Sequence, residues 1–304
     1  MLLLIEQLLN GLQLGMMLFL MSTGLTLVFG IMQVINLAHG SFYMIGAYVG
    51  ATVTAHSGSF LLGIAAALCA AALTGMAVEA VVLRRLYRRE HIDQVLATFG
   101  LIMFFNELTR IVWGRQPLFL DVPPWLSGTV EILPNVPYPS YRLAVIAVGI
   151  AVGLGLYVLF GHTRLGMRIR AGASNREMAG ALGINIKLLY TLVFGLGTLL
   201  AGLAGVLAGP ILAVEAGMGE SILILTFVVI VIGGIGSVRG AWVGALLVGM
   251  VDTLGRAFLP GLLRLFLSAA HADGVGASLA SMSVYVLMAA ILVWRPRGLL
   301  PAPA

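Results

Sequence analysis

The sequence predicts an all-α polytopic membrane protein of roughly nine transmembrane helices (eight to ten), with a second span broken near its start and a short helix on the cytoplasmic side. Three observations predict it. Apolar residues make up 60% and charged residues 10% of the 304 positions, and mean hydropathy is +1.06, far outside soluble composition. Charged clusters separate apolar stretches of about 20 residues, the length that crosses hydrocarbon as a helix, whereas barrel strands would alternate in segments of about 10. Basic residues concentrate in one set of connecting loops. One transmembrane domain over residues 1–304 follows, with an outer loop at 114–142 and a cytoplasmic loop at 161–187.

The same composition excludes several chemistries. Net charge is +5, but the basic residues lie in short loops where topology accounts for them, so no nucleic-acid partner is expected. Cys69 stands alone, which rules out a disulfide within the chain. The five histidines are scattered without HExxH or CxxC spacing, so neither a metal site nor a cofactor is expected. Lys187, the only lysine, is followed by Leu188, so no phosphate-binding GxxxxGK[ST] loop exists and nucleotide hydrolysis would belong to another subunit. MLLLIEQLLNG lacks a basic n-region and runs into a span, so no cleaved signal peptide is expected.

The first span, about Leu8 to Gly30, carries Gly11-x-x-x-Gly15, a spacing that lets helices approach closely in lipid. The second, about Ile31 to Ala55, opens with Gln33, Asn36, His39 and Ser41. The third, Phe60 to Leu83, ends in the basic cluster Arg84-Arg85-Leu86-Tyr87-Arg88-Arg89. The fourth, about Val95 to Trp113, places Glu107 and Arg110 on one helical face as a structural pair. Five prolines between Pro123 and Pro139 then predict an irregular outer loop.

Spans five and six cover about Leu143 to Phe160 and Leu188 to Ala208, and the seventh covers Ile222 to Ile235. The eighth, about Ala241 to Leu254, reads as short and carries Asp252 with Arg256 one turn on. Phe258 to Leu279 reads as an outer stretch that dips into the membrane or forms a short helix. The last span is Ser281 to Trp294. Only Arg110, Arg115, Arg142, Arg256 and Arg264 fall on one side, leaving 12 of the 17 basic residues on the other. That bias predicts the N-terminus outside and the C-terminus in the cytoplasm.

Two stretches stand out from this frame. Gly161 to Lys187 is polar, and within it Ser174-Asn175-Arg176-Glu177 has the form of a capping box, so a helix should start there. Met178, Ala181, Leu182 and Ile184 return every three to four residues or nearly so, giving a modest apolar face. Such a helix can dock into a groove on a soluble partner or rest on lipid headgroups, and composition leaves both open. The other stretch, Gly30 to Ser41, puts polar side chains at lipid depth. A helix interrupted there frees backbone groups that protein or a water-filled path must cover. Such breaks mark substrate paths in transporters, while Asn36, His39 and Ser41 could equally serve as hydrogen-bonding glue between helices.

Glu177, Ala179 and Gly183, in the order E-x-A-x-x-x-G, resemble the EAA-type loop by which permease subunits of bacterial ABC importers engage their ATPases, with Met178 where the pattern has a second Ala. GLTLVFGIMQVINLAHGSFYMIGAY from Gly24 to Tyr48 resembles the signature of LivH-like permeases of branched-chain amino-acid ABC importers. LATFG (Leu96 to Gly100), EMAGALGI (Glu177 to Ile184), GPILAVEAGMG (Gly209 to Gly219) and GGIGSVRGAWVGA (Gly233 to Ala245) continue it in order, and it weakens over Phe258 to Leu279. The resemblance implies a single permease domain in the bacterial inner membrane. Its implied partners are a LivM-like second permease, two cytoplasmic ATPase subunits, and a periplasmic or lipid-anchored substrate-binding protein. It implies that Glu177, Ala179 and Gly183 couple to the ATPases and that Asn36, His39, Gly40 and Ser41 line or shape the translocation path. Gly233, Gly234, Gly236, Gly240 and Gly244 would pack moving helices closely. Relatives for urea, short amides or aromatic acids share the signature. An ion-coupled secondary transporter would need mid-membrane carboxylates, yet Glu79, Glu107 and Asp252 each lie toward a span end. An intramembrane enzyme lacks any HExxH or GxSxG motif.

Overall fold

The computed structural model describes residues 2–301 except 35, 88 and 135. α1 (Leu2–Met32) is a 31-residue helix that proline never interrupts. An irregular stretch leads to α2 (His39–Ser57), which Gly58 ends with φ +67°. α3 (Phe60–Val78) starts on Ser59, whose hydroxyl accepts from the Leu62 amide. It runs on through a π-helical turn, Glu79–Leu83, into α4 (Arg84–Leu86). α5 (His91–Trp113) carries the Glu107–Arg110 pair at 3.3 Å.

The 114–142 loop is more ordered than its prolines predict. After a 3-10 turn, β1 (Thr129–Leu133) pairs antiparallel with β2 (Val136–Pro139), and α6 (Ser140–His162) starts directly on the second strand. Alternation explains the hairpin: Val136 and Tyr138 point inward, and the Tyr138 hydroxyl donates to Asn10 Oδ1 at 3.0 Å, seating the strands on the N-terminal end of α1. α7 (Arg164–Ser174) and α8 (Arg176–Ala181) follow, then α9 (Ile186–Ala208), α10 (Met218–Gly233), α11 (Val238–Leu263) and α12 (Ala269–Trp294).

Among the described residues, seven helices are long and apolar enough to cross a membrane: α1, α3 continued to Leu86, α5, α6, α9, α11 and α12. The chain is therefore a multi-pass membrane protein. α10 is shorter, at 16 residues, and α2 is less apolar because it carries two His, two Ser, two Thr and two Tyr residues. Two expectations are corrected here. α11 has 26 residues instead of being short, and Phe258 to Leu279 divides between the end of α11 and the start of α12. Hydropathy misses this because glycines and charges dilute the stretch. Arg264 forks onto Asp273 at 2.8 Å across the turn, and Gly276 lies where a Cβ would come within 2.8 Å of Pro260.

α1 and α9 form the inside of the bundle, with 83% and 78% of their most apolar windows buried, against 17% for α5 and α11. Helices that meet only lipid on one side keep apolar faces outward, since lipid tails are as apolar as leucine. α1 packs on α11 through the predicted small residues: a Cβ on Gly249 would come within 2.5 Å of the Gly11 carbonyl and the Gly15 amide. The end of the bundle that holds α4, α7 and α8 also collects Arg239, Arg295 and Arg297, and is called the basic face below. There the Leu299 and Leu300 amides donate to the Ile232 and Gly233 carbonyls, both at 2.9 Å, satisfying the open C-terminal end of α10.

Candidate functional site

The polar stretch Gly161 to Lys187 folds into two short helices, where the sequence reading expected one. Thr163 caps α7, its hydroxyl accepting from the Gly166 amide at 3.1 Å. Ile169 is buried, and Gly172 faces Leu189 of α9, while Arg164, Arg168 and Arg170 stay exposed. The cap of α8 is Asn175, not Ser174. Its Oδ1 accepts from the Met178 amide at 2.9 Å, and Ser174 is instead the last residue of α7. A second helix ending on Ser174 displaces the predicted box by one residue.

The E-x-A-x-x-x-G pattern acquires a physical account in α8. Glu177 lies exposed in the first turn, where the helix dipole favours an anion. Ala179 is 3% exposed, the one buried residue of α8. The Ile184 amide donates to the Ala179 carbonyl at 3.1 Å and the Gly183 amide to the Gly180 carbonyl at 3.0 Å, the two bonds of a Schellman cap. That cap needs a left-handed residue, and Gly183 supplies it with φ +87°. The apolar face divides: Ala179 points in and Ile184 is half-buried, whereas Met178 and Leu182 are 60% and 77% exposed.

At the other stretch, α1 continues past the predicted boundary to Met32, and the break falls between it and the start of α2 at His39. Gln33 has φ +55°, the one positive value outside glycine among the described residues. Asn36 Oδ1 accepts from the Ala38 amide at 3.1 Å, turning the chain into α2. Asn36 and His39 are wholly buried and Ser41 is 4% exposed. The His39 ring lies over Gly24, where a Cβ would stand 2.9 Å from Nε2. Gly40 and Gly219 bring α2 against the start of α10 so closely that a Cβ on either would come within 2.2 Å of the other's carbonyl oxygen.

The family described as "Branched-chain amino acid transport system / permease component" matches residues 7–293. The chain belongs to that family. It is 29% identical to the high-affinity branched-chain amino acid transport system permease protein LivH of Salmonella typhimurium, over 98% of this chain and 96% of the relative. With the corresponding protein BraD of Pseudomonas aeruginosa it shares 30% identity over the same proportions. The ribose import permease protein RbsC of Escherichia coli is more distant, at 26% over 82% of this chain and 77% of the relative. No solved structure matches.

In this permease the glycines of the GGIGSVRG segment have two geometries. Gly233, Gly240 and Gly244 lie at the crossing of α10 and α11, where a Cβ on Gly233 would come within 2.2 Å of the Gly240 carbonyl oxygen. Gly234 and Gly236 make the turn, with φ +106° and +81°, and Gly236 also meets Gly30 near the end of α1.

One polar cluster of the permease escaped the sequence reading. Glu79 is 0% exposed, and its carboxylate accepts from Arg84 Nε at 3.3 Å and Nη2 at 2.9 Å, from the Tyr87 hydroxyl at 2.6 Å and from the Thr191 hydroxyl at 2.6 Å. Burial first, and then the bond to Glu79, hold the Tyr87 phenol well above its usual pKa range. Glu79 and Arg84 are five apart, a spacing that an α-helix sends to different faces. The π-helical turn between them brings the two together, so helical pair rules applied to the sequence do not find them.

Proposed function

We propose that this chain is one permease domain, residues 1–304, of an ATP-driven ABC importer in a bacterial inner membrane. α8 docks on a cytoplasmic ATPase subunit through Glu177 and the exposed Met178 and Leu182, with Ala179 and Gly183 holding its shape. That display carries the reading: an apolar pair, Met178 on α8 and Leu182 at its C-cap, beside three exposed arginines fits a groove on a partner. A second, LivM-like permease, two ATPase subunits and a periplasmic or lipid-anchored binding protein complete the assembly. In this arrangement the basic face is cytoplasmic, the N-terminus lies outside, and α2 and α10 join the seven longer helices to make nine spans.

Asn36, His39, Gly40 and Ser41 shape the translocation path instead of lining it openly, since all four are buried, His39 against Gly24 of α1 and Gly40 against Gly219 of α10. The glycines at the crossing of α10 and α11 let those helices slide on backbone contacts. The solute is a branched-chain amino acid, in keeping with what the names of LivH and BraD state of those proteins.

Uptake into vesicles holding the complex tests this. Leucine entry that needs ATP and the partner subunits supports the reading. Entry driven by an ion gradient through this chain alone contradicts it.

A further inference from the structure

The Glu79 cluster lies where three elements meet beside the coupling helix. Thr191 sits in the second turn of α9, and the four residues between α8 and α9 are held by the Schellman cap and by Asn185, whose Oδ1 accepts from the Leu188 amide at 3.0 Å. α8 and the start of α9 therefore have little slack between them. Thr191 also accepts from Arg84 Nη2 at 2.7 Å, closing a triangle with the carboxylate. Next to it, Tyr190 stacks edge-to-face on Tyr87, with ring centroids 5.4 Å apart. The Tyr190 hydroxyl reaches the Ile31 carbonyl at 3.4 Å, two residues before the positive φ of Gln33.

We propose that Glu79 is a positioning residue that ties the start of α9 to the π-helical turn of α3 and to the end of α1, so that movement of α8 reaches the break between α1 and α2. This rests on the reading of α8 as the ATPase-docking helix. A carboxylate suits the task because it accepts from several donors at once and its charge-assisted bonds resist stretching. The π-helical turn is what places Arg84 within reach of both oxygens, and such turns are frequent at functional sites. Contiguity alone does not establish coupling, so the readout must be transport per ATP and not stability.

The test uses the whole complex, with its partner subunits, in liposomes. Thr191→Val keeps the shape and removes the hydroxyl, while Thr191→Ser keeps the hydroxyl. We expect Thr191→Val to assemble normally, hydrolyse ATP, and deliver roughly fivefold less leucine per ATP, within the range of measured network couplings. Thr191→Ser should stay within about twofold of wild type on the same scale. A Thr191→Val complex with wild-type uptake per ATP overturns the proposal. So does a Thr191→Ser complex as impaired as Thr191→Val, because packing would then explain the loss. Failure of Thr191→Val to assemble marks a purely structural clamp and also overturns it. Wild-type complex without ATP-dependent uptake removes the coupling reading and the proposal together.

Discussion

Two buried polar clusters flank the connection from α1 to α2, and they differ in how far their hydrogen bonds are satisfied. Around Glu79 every carboxylate oxygen meets two donors, one from a hydroxyl and one from Arg84. Around His39, neither ring nitrogen nor the Asn36 Nδ2 makes a hydrogen bond of good geometry among the described residues, and the Met21 backbone is the group that acts on the ring. A saturated charged network in a low-dielectric interior holds one geometry. A buried polar atom without a partner costs about 1–3 kcal/mol, which favours any rearrangement that supplies one. The contrast assigns stiffness to the basic face and leaves Asn36 and His39 the less constrained of the two clusters.

The largest effect that can break this comparison comes from the stiff side. Arg84→Ala leaves a fully buried carboxylate with hydroxyl donors only, so we expect a loss of about 3–5 kcal/mol, read as a drop in thermal unfolding temperature in detergent. Tyr87→Phe removes one bond to the same charge and should cost less, about 1.5–3 kcal/mol. If both variants unfold with wild type, the Glu79 cluster is not the rigid joint.

His39→Leu should not lower stability, because removing a buried polar group without a good partner relieves a cost of about 1–3 kcal/mol that offsets the lost ring packing. Leucine uptake should nevertheless fall while the ATPase subunits still co-purify. Unchanged uptake would reduce His39 to packing and leave the comparison without its less constrained half.

Much of this was legible in sequence because lipid imposes simple rules. Apolar runs of spanning length marked α1, α3, α5, α6 and α9, and the alternation of polar loops placed their ends. The pattern Glu177, Ala179, Gly183 was visible as residues, although the cap geometry that explains the glycine was not. Four features were hidden for physical reasons. α7 is amphipathic and basic, so it read as loop. Ser174 outranks Asn175 as a cap only if no helix precedes it. β1 and β2 pair despite three prolines because Tyr138 has a partner on α1, a contact more than a hundred residues away in sequence. The Glu79–Arg84 pair needs an i+5 turn that local pair rules do not include. Between α1 and α2, polarity at lipid depth predicted the break, while the end of α1 at Met32 depends on packing against Tyr190 and Gly236.

The most direct test of the central claim is ATP hydrolysis by the purified complex carrying Gly183→Arg. A side chain has open space there, but the left-handed φ of +87° costs a non-glycine residue about 1–2 kcal/mol, enough to undo the Schellman cap of α8 and not the bundle. We expect the variant to insert in the membrane and retain its helices, while the ATPase subunits are lost from it or no longer respond to leucine. A Gly183→Arg complex that retains its ATPases and hydrolyses and transports as wild type would contradict the assignment of α8 as the coupling helix.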